Sequence, residues 1–272
     1  MHAHQQEIIH DLNTVPSLDP TQEIERRSAF LADYLGASGL RGFVLGISGG
    51  QDSLLAGLIA KRAVQLRRDA GETADFHAML LPYGSQADRD DALLACDTIK
   101  PDYLHDFDIK PATDALAVSF EASESRPISD FDKGNVKARM RMIAQYAIAG
   151  EYGLLVIGTD HAAEAVTGFF TKYGDGGADV LPLSGLTKRQ GRQLLKEFDV
   201  PDIFLTKQPT ADLLDGTPGQ ADETELAMSY ETIDDYLEGK TVGDDAAARI
   251  KQRYDRTRHK RALPAAYTTP AL

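Results

Sequence analysis

The chain has 272 residues, 42% of them hydrophobic and 26% charged, with a formal net charge of −13. That length suits a single α/β domain with a substantial core. The acidic balance excludes nucleic acid as the principal partner, since counterion release needs clustered lysine and arginine, and any polyphosphate site must rely on local cations. Cys96 is the single cysteine. It excludes an intramolecular disulfide or multi-cysteine zinc site and points to a reducing cytoplasm. Its setting in Ala92-Leu-Leu-Ala-Cys96 reads as a small buried hydrophobe. No run approaches ~18 apolar residues, so no membrane partner is expected. Met1-His-Ala-His-Gln-Gln also lacks a signal-peptide pattern.

Residues 1–20 read as a peripheral extension, and a helix is expected to start at Asp19-Pro20 and reach Leu35, closed by Gly36 and Gly39. Short apolar runs at Phe43 to Ile47, Phe76 to Leu81, Tyr103 to Ile109 and Leu154 to Ile157 read as strands. Helical patterns separate them, at Asp52 to Arg67, Gln86 to Thr98, Pro111 to Ala122 and Asn135 to Tyr152. In the last, Met140, Ile143, Ala144, Ala147 and Ile148 form one apolar stripe, fit for a core or a subunit contact, while Arg141, Gln145 and Glu151 fall elsewhere. Strands alternating with helices indicate a doubly wound, Rossmann-like parallel sheet flanked by helices, whose ligands bind beyond the carboxyl ends of the strands.

Beyond Ala165, residues Phe169 to Ser184 read as an irregular loop, and Thr187 to Phe198 as a helix with Thr187 and Gln190 in a capping box. The segment Thr206 to Asp222 is rich in Gly and Pro and too long for a simple connector, and reads as a functional lid or a disordered segment. Additional C-terminal helices are expected at Glu223 to Leu237 and Asp244 to Arg258, with residues 262–272 a peripheral tail. The whole reads as one domain.

Gly46-Ile47-Ser48-Gly49-Gly50-Gln51-Asp52-Ser53 joins the first strand to its helix. Backbone N–H groups, two hydroxyls and a helix N-terminus make such a turn a phosphate site. It is not a Walker A loop, because Asp52 stands where a lysine would follow. A carboxylate beside a polyphosphate requires a cation between them, so Asp52 is a candidate Mg²⁺ ligand.

A loop of this kind resembles that of the ATP pyrophosphatases. The segments Gly158-Thr-Asp-His-Ala-Ala-Glu164, Thr167-Gly-Phe-Phe-Thr-Lys-Tyr-Gly-Asp-Gly-Gly177, Pro209-Thr-Ala-Asp212, Asp222-Glu-Thr-Glu225, Ile233-Asp-Asp-Tyr-Leu-Glu-Gly239 and His259-Lys-Arg261 narrow the resemblance. With the loop, they resemble the ammonia-dependent NAD synthetases from about Glu23 to Arg261. The resemblance implies ATP on the Gly46 to Ser53 loop with Thr159, Lys188 and Thr210, and Mg²⁺ on Asp52 and Glu164. It implies deamido-NAD on Arg139, Lys172, Asp179, His259 and Lys260. Asp175 is implied near ammonia and Lys188 near the α-phosphate, as the catalytic pair, with Gln86 and Asp88 in support. It also implies a homodimer.

The expected reaction adenylates the carboxylate of deamido-NAD and then displaces AMP with ammonia. Neither the length nor Cys96 provides a glutaminase region, which favours free ammonia, although a separate amidotransferase subunit remains compatible. Two other readings stay open at this point: an ATP pyrophosphatase acting on a different carbonyl, and a non-catalytic nucleotide-binding module.

Overall fold

Four strands form a parallel sheet in the computed structural model, which describes residues 3–84, 88–209, 213–216 and 219–267. They are β1 (Gly42–Gly46), β2 (Asp75–Leu80), β3 (Tyr103–Asp106) and β4 (Leu154–Val156), ordered β3-β2-β1-β4. Phe43 pairs with Phe76 on one side and Leu155 on the other. Ile157 adds a parallel bridge to Val180 beyond β4.

Successive side chains of a strand point to opposite faces, and here the alternation builds separate cores. Phe43, Leu45, Phe76, Ala78 and Leu155 join one cluster, whereas Val44, Met79 and Val156 join another. Continuous apolar runs are what a parallel strand covered on both sides requires.

Thirteen helices are seen among the described residues. In chain order the first are α1 (Ala3–Asp11), α2 (Pro20–Ser38), α3 (Gln51–Asp69), α4 (Arg89–Ile99), α5 (Lys110–Glu124), α6 (Asp130–Tyr152) and α7 (Ala162–Thr167). The remainder are α8 (Lys188–Glu197), α9 (Ile203–Thr206), α10 (Asp222–Leu226), α11 (Tyr230–Leu237), α12 (Asp244–Arg256) and α13 (Arg258–Arg261). Helices α2, α3 and α8 pack together over one sheet face, while α6 packs on β1 and β4 over the other. A third cluster, with Ile8, Val166, Tyr236 and Ile250, unites α1, α7, α11 and α12.

Several boundaries differ from expectation for local reasons. Helix α2 passes through Gly36, where a Cβ would lie 2.6 Å from the Arg67 guanidinium, and ends at left-handed Gly39 (φ 69°). Helix α6 starts earlier because the Ser129 hydroxyl accepts the Asp132 N–H at 3.1 Å. The helix expected from Glu223 to Leu237 is divided in two. Ala227 is left-handed (φ 50°), and Ser229 starts a new helix by accepting the Thr232 N–H at 3.2 Å.

The opening residues are not peripheral. Gln5 is fully buried and donates to the carbonyls of Tyr236 (2.8 Å) and Lys240 (2.9 Å). Cys96 is buried, as expected, and burial pushes its thiol up to about 11.

Candidate active site

Strand order reverses at β1, with β2 and β3 on one side and β4 on the other. The crevice beyond the carboxyl ends of β1 and β4 is therefore a switch point, where open α/β sheets bind ligands. A cavity of about 970 Å³ opens there, lined by Ser48, Asp52, Thr159, Glu164, Lys188 and Lys260 among others. That volume is at the upper end of the ordinary range for small-molecule sites.

The loop from β1 to α3 is set by its own hydroxyls. Ser53 Oγ accepts the Ser48 N–H at 3.2 Å and lies 3.1 Å from Ser48 Oγ, which accepts the Gly50 N–H at 3.3 Å. Gly49 has φ +76°, and a Cβ there would lie 2.6 Å from the Ala92 nitrogen of α4. From the opposite sheet face, Gln145 Oε1 on α6 accepts the Gly46 N–H at 2.8 Å. Asp52 follows in the first turn of α3, where the helix dipole favours an anion.

Strand β4 delivers α7 to the same place. His161 Nε2 lies 3.8 Å from Asp52 Oδ1 and 3.6 Å from Glu164 Oε1. The donor atoms of all three residues fall within 4.8 Å of one another. Lys188, at the start of α8, places Nζ 2.7 Å from Asp52 Oδ2 with its side chain only 3% exposed. The capping box is formed in full, with Thr187 Oγ1 accepting the Gln190 N–H and Gln190 Oε1 accepting the Thr187 N–H, each at 3.1 Å.

These charges determine one another. Burial alone would raise Asp52, but Lys188 and His161 hold it below the usual carboxylate range. Burial would likewise lower Lys188, yet Asp52 and Glu164 outweigh it and keep the ammonium above its ordinary value. Glu164 is pushed well above the carboxylate range by burial and by the charge of Asp52. His161 falls to about 4, chiefly through burial.

The donor set fits a divalent cation. Both ring nitrogens of His161 are buried without a hydrogen-bond partner, a state that costs about 1–3 kcal/mol per group. Carboxylates supply hard oxygen donors and the imidazole a borderline one. The sequence named Asp52 as a candidate ligand from its place in the loop, and Glu164 only through the family resemblance. It did not name His161, although its i, i+3 spacing to Glu164 was a readable signal.

The remaining expected residues divide into groups. Among the nucleotide residues, Gly46 to Ser53 line the cavity apart from Gly49, and Thr159 and Lys188 lie in the same wall. Thr210 and Gln86 fall outside the described residues. Asp88 lines the cavity, 3.6 Å from Lys207 Nζ. Lys207 also donates to the Gly49 carbonyl at 3.3 Å, supplying a cation over the loop that sequence reasoning missed. Asp175 is open to the cavity and accepts the Thr171 N–H at 2.8 Å; partial desolvation by the cavity walls raises its carboxyl, against the pull of that N–H.

Of the dinucleotide set, His259 and Lys260 line the cavity, and Lys260 Nζ donates to the carbonyls of Gly168 (2.8 Å) and Phe170 (2.7 Å). Arg139 and Lys172 sit on the adjoining surface, where Arg139 donates to the Lys172 carbonyl (3.3 Å) and Lys172 to that of His259 (2.5 Å). Asp179 is apart from the cavity lining. It accepts the Val156 N–H at 2.7 Å and the Tyr146 hydroxyl at 3.0 Å.

The model of the NAD synthase family matches residues 23–264. The chain belongs to the NAD synthase family. An NH(3)-dependent NAD(+) synthetase of Bacillus pumilus is 59% identical over 262 residues, covering 96% of each chain. Among solved structures, an NAD+ synthetase from Burkholderia pseudomallei is similar at 48% identity and a TM-score of 0.83, over 96% of this chain and 97% of that one. An NMN synthetase from Francisella tularensis is similar at 37% identity and a TM-score of 0.80, over 94% of this chain and all (100%) of its own.

Proposed function

We propose that the chain converts deamido-NAD to NAD, consuming ATP and ammonia and releasing AMP and pyrophosphate. The observation that carries this reading is the meeting of Asp52, His161, Glu164 and Lys188 beside the Gly46 to Ser53 loop, in a chain of the NAD synthase family.

In the first step, a carboxylate oxygen of the nicotinate ring attacks the α-phosphorus and the bond to pyrophosphate breaks. In the second, ammonia attacks the acyl carbon, AMP departs, and a proton is released. Mg²⁺ held by Asp52 and Glu164, with His161 as a further donor, would neutralise the triphosphate and favour the leaving pyrophosphate. The Ser48 and Ser53 hydroxyls and the loop N–H groups orient the outer phosphates. Lys188 leaves Asp52 for the α-phosphate and follows the charge that develops there. Asp175, raised by desolvation within the cavity, is suited to hold ammonium and accept its proton. Thr159 and Thr210 are assigned to ATP, and Arg139, Lys172, Asp179, His259 and Lys260 to deamido-NAD. Water must be excluded from the adenylate, a task suited to the loops that carry Asp175 and Asp215.

The deciding experiment measures NAD formed from deamido-NAD, ATP and Mg²⁺ with ammonium or with glutamine. Turnover with ammonium, and pyrophosphate release only when deamido-NAD is present, is expected. Pyrophosphate released without an acceptor, or only with RNA, overturns the reading. A parallel assay with the mononucleotide acid separates this activity from that named for the Francisella relative. We also assign a homodimer, supported by exposed Ile143 (52%) and Tyr146 (37%), one turn apart on the same side of α6. Light scattering at micromolar concentration is expected to give twice the chain mass, and Ile143→Glu to shift it toward the monomer. A cytoplasmic location agrees with one buried cysteine and with the absence, among the described residues, of a helix able to cross a membrane.

A further inference from the structure

One buried acid lies close to the site without a part in the chemistry above. Asp234, in the Ile233-Asp-Asp-Tyr236 stretch of α11, is fully buried at 0% exposure. Its carboxylate sits at the N-terminus of α8, where Oδ1 accepts the Lys188 N–H at 3.0 Å and Oδ2 accepts the Arg189 N–H at 2.8 Å. The first N–H groups of a helix have no partners within it. Thr187 already serves the Gln190 N–H from within the capping box. That local cap leaves the N–H groups of Lys188 and Arg189 unmet, and Asp234 meets both as a long-range anchor.

That anchor carries a burden. Burial pushes the carboxyl of Asp234 up to about 6, against the opposing pull of the Arg189 and Lys188 N–H groups. Buried carboxylates are costly unless fully hydrogen-bonded.

The other side of Lys188 is held as well. Gln51 Nε2 donates to the Lys188 carbonyl at 3.0 Å, and Gln51 immediately precedes Asp52, which receives the Lys188 ammonium at 2.7 Å. Gly191 keeps this contact open, since a Cβ there would lie 2.8 Å from Gln51 Nε2. The N–H, carbonyl and ammonium of one lysine are thereby fixed by α11, by the first residue of α3, and by the carboxylate beside the phosphate loop.

We propose that Asp234 is a positioning residue: together with Gln51 it sets the backbone of Lys188 relative to the phosphate loop, and it affects the reaction only through that lysine. The inference rests on the role assigned to Lys188 above. If Asp234 served only as a core anchor for α11, its loss would lower stability without depending on which side chain occupies position 188.

The test is a double-mutant cycle on single-turnover pyrophosphate release, with enzyme in excess and thermal midpoints recorded for every protein. Asp234→Asn keeps the volume and one acceptor but removes the second. It is expected to slow release by about 10- to 100-fold, the scale of an ångström-level misplacement, with KM for deamido-NAD, from separate steady-state assays, within about twofold of the parent. In a Lys188→Ala background the same change is expected to cost less than about twofold, because residues acting through one group are non-additive. Gln51→Ala, which leaves the buried carboxylate untouched, should show the same dependence on Lys188 and serves if Asp234→Asn does not fold. An unchanged rate in Asp234→Asn, or equal costs with and without the lysine in whichever variant folds, overturns the proposal alone. Full activity in Lys188→Ala overturns the role of the lysine and the positioning proposal together.

Discussion

Asp52 and Lys188 show how far single residues could be read before the fold was known. The strand–turn–helix geometry of the loop was legible because an apolar run, a glycine-rich turn and a helical pattern follow one another directly. Gln145 and His161 were not legible. Gln145 lies on the polar side of an amphipathic pattern, and only the sheet brings its carbonyl to the Gly46 N–H at 2.8 Å. The two loop glycines differ in the same way. Gly49 needs both a positive φ and the space in front of Ala92, whereas a Cβ on Gly50 would meet only Ser48 Oγ at 3.3 Å. Gly49→Ala is therefore expected to lose at least about 1–3 kcal/mol from backbone strain alone and to weaken ATP use. Gly50→Ala should retain a near-parental thermal midpoint, and equal midpoints for the two variants would contradict this account. Asp175→Asn is expected to lower the rate most at subsaturating ammonium, with the deficit shrinking as pH rises and free ammonia replaces ammonium. An unchanged rate across ammonium concentration and pH would remove Asp175 from the reaction.

At the scale of elements, strands were easier to read than helix ends. Phe43, Val44 and Leu45 form a run whose full burial follows from their parallel neighbours. The break between α10 and α11 could not be read, because left-handed Ala227 is an alanine rather than a glycine. Helix α1 was missed for a different reason. Its attachment joins one buried apolar residue, Ile8, to polar contacts through Gln5 to α11 and through Tyr254 of α12, which donates to Asp11 at 2.9 Å. Thr14 adds a bond to the Leu237 carbonyl at 2.9 Å. Removal of residues 1–14 would expose Ile8's partners in the third cluster. The truncated protein is expected to melt at a lower temperature and to lose activity on warming before the full chain does. A midpoint within error of the full chain would return α1 to the status of an appendage.

For the whole molecule, the sequence indicated the layer architecture through alternation of strand and helix, but it held no trace of side-chain pairs that only strand register creates. His77 on β2 and His105 on β3 are such a pair, with Nδ1 and Nε2 2.9 Å apart and Tyr103 and Tyr152 packed on the His77 ring. Burial holds both below the usual histidine value, aided for His77 by His105 and opposed by Asp75 and Asp102. The folded chain thus takes up these protons later than the unfolded chain. Their contribution is complete above about pH 6.5 and is lost as pH falls through the depressed folded values. Thermal midpoints from pH 8 to 5 should fall more steeply for the parent than for a His77→Asn, His105→Asn double variant; parallel curves would rule the pair out as a source of acid sensitivity.

The cavity also has a consequence for biosynthesis. Ser48 and Lys260 frame a single opening although most of the polypeptide separates them. A nascent chain that has folded its first strands would display the glycine turn long before the ammonium that answers Asp52 leaves the ribosome. Nucleotide capture should therefore switch on late in translation, so that half-made copies do not sequester the cell's ATP.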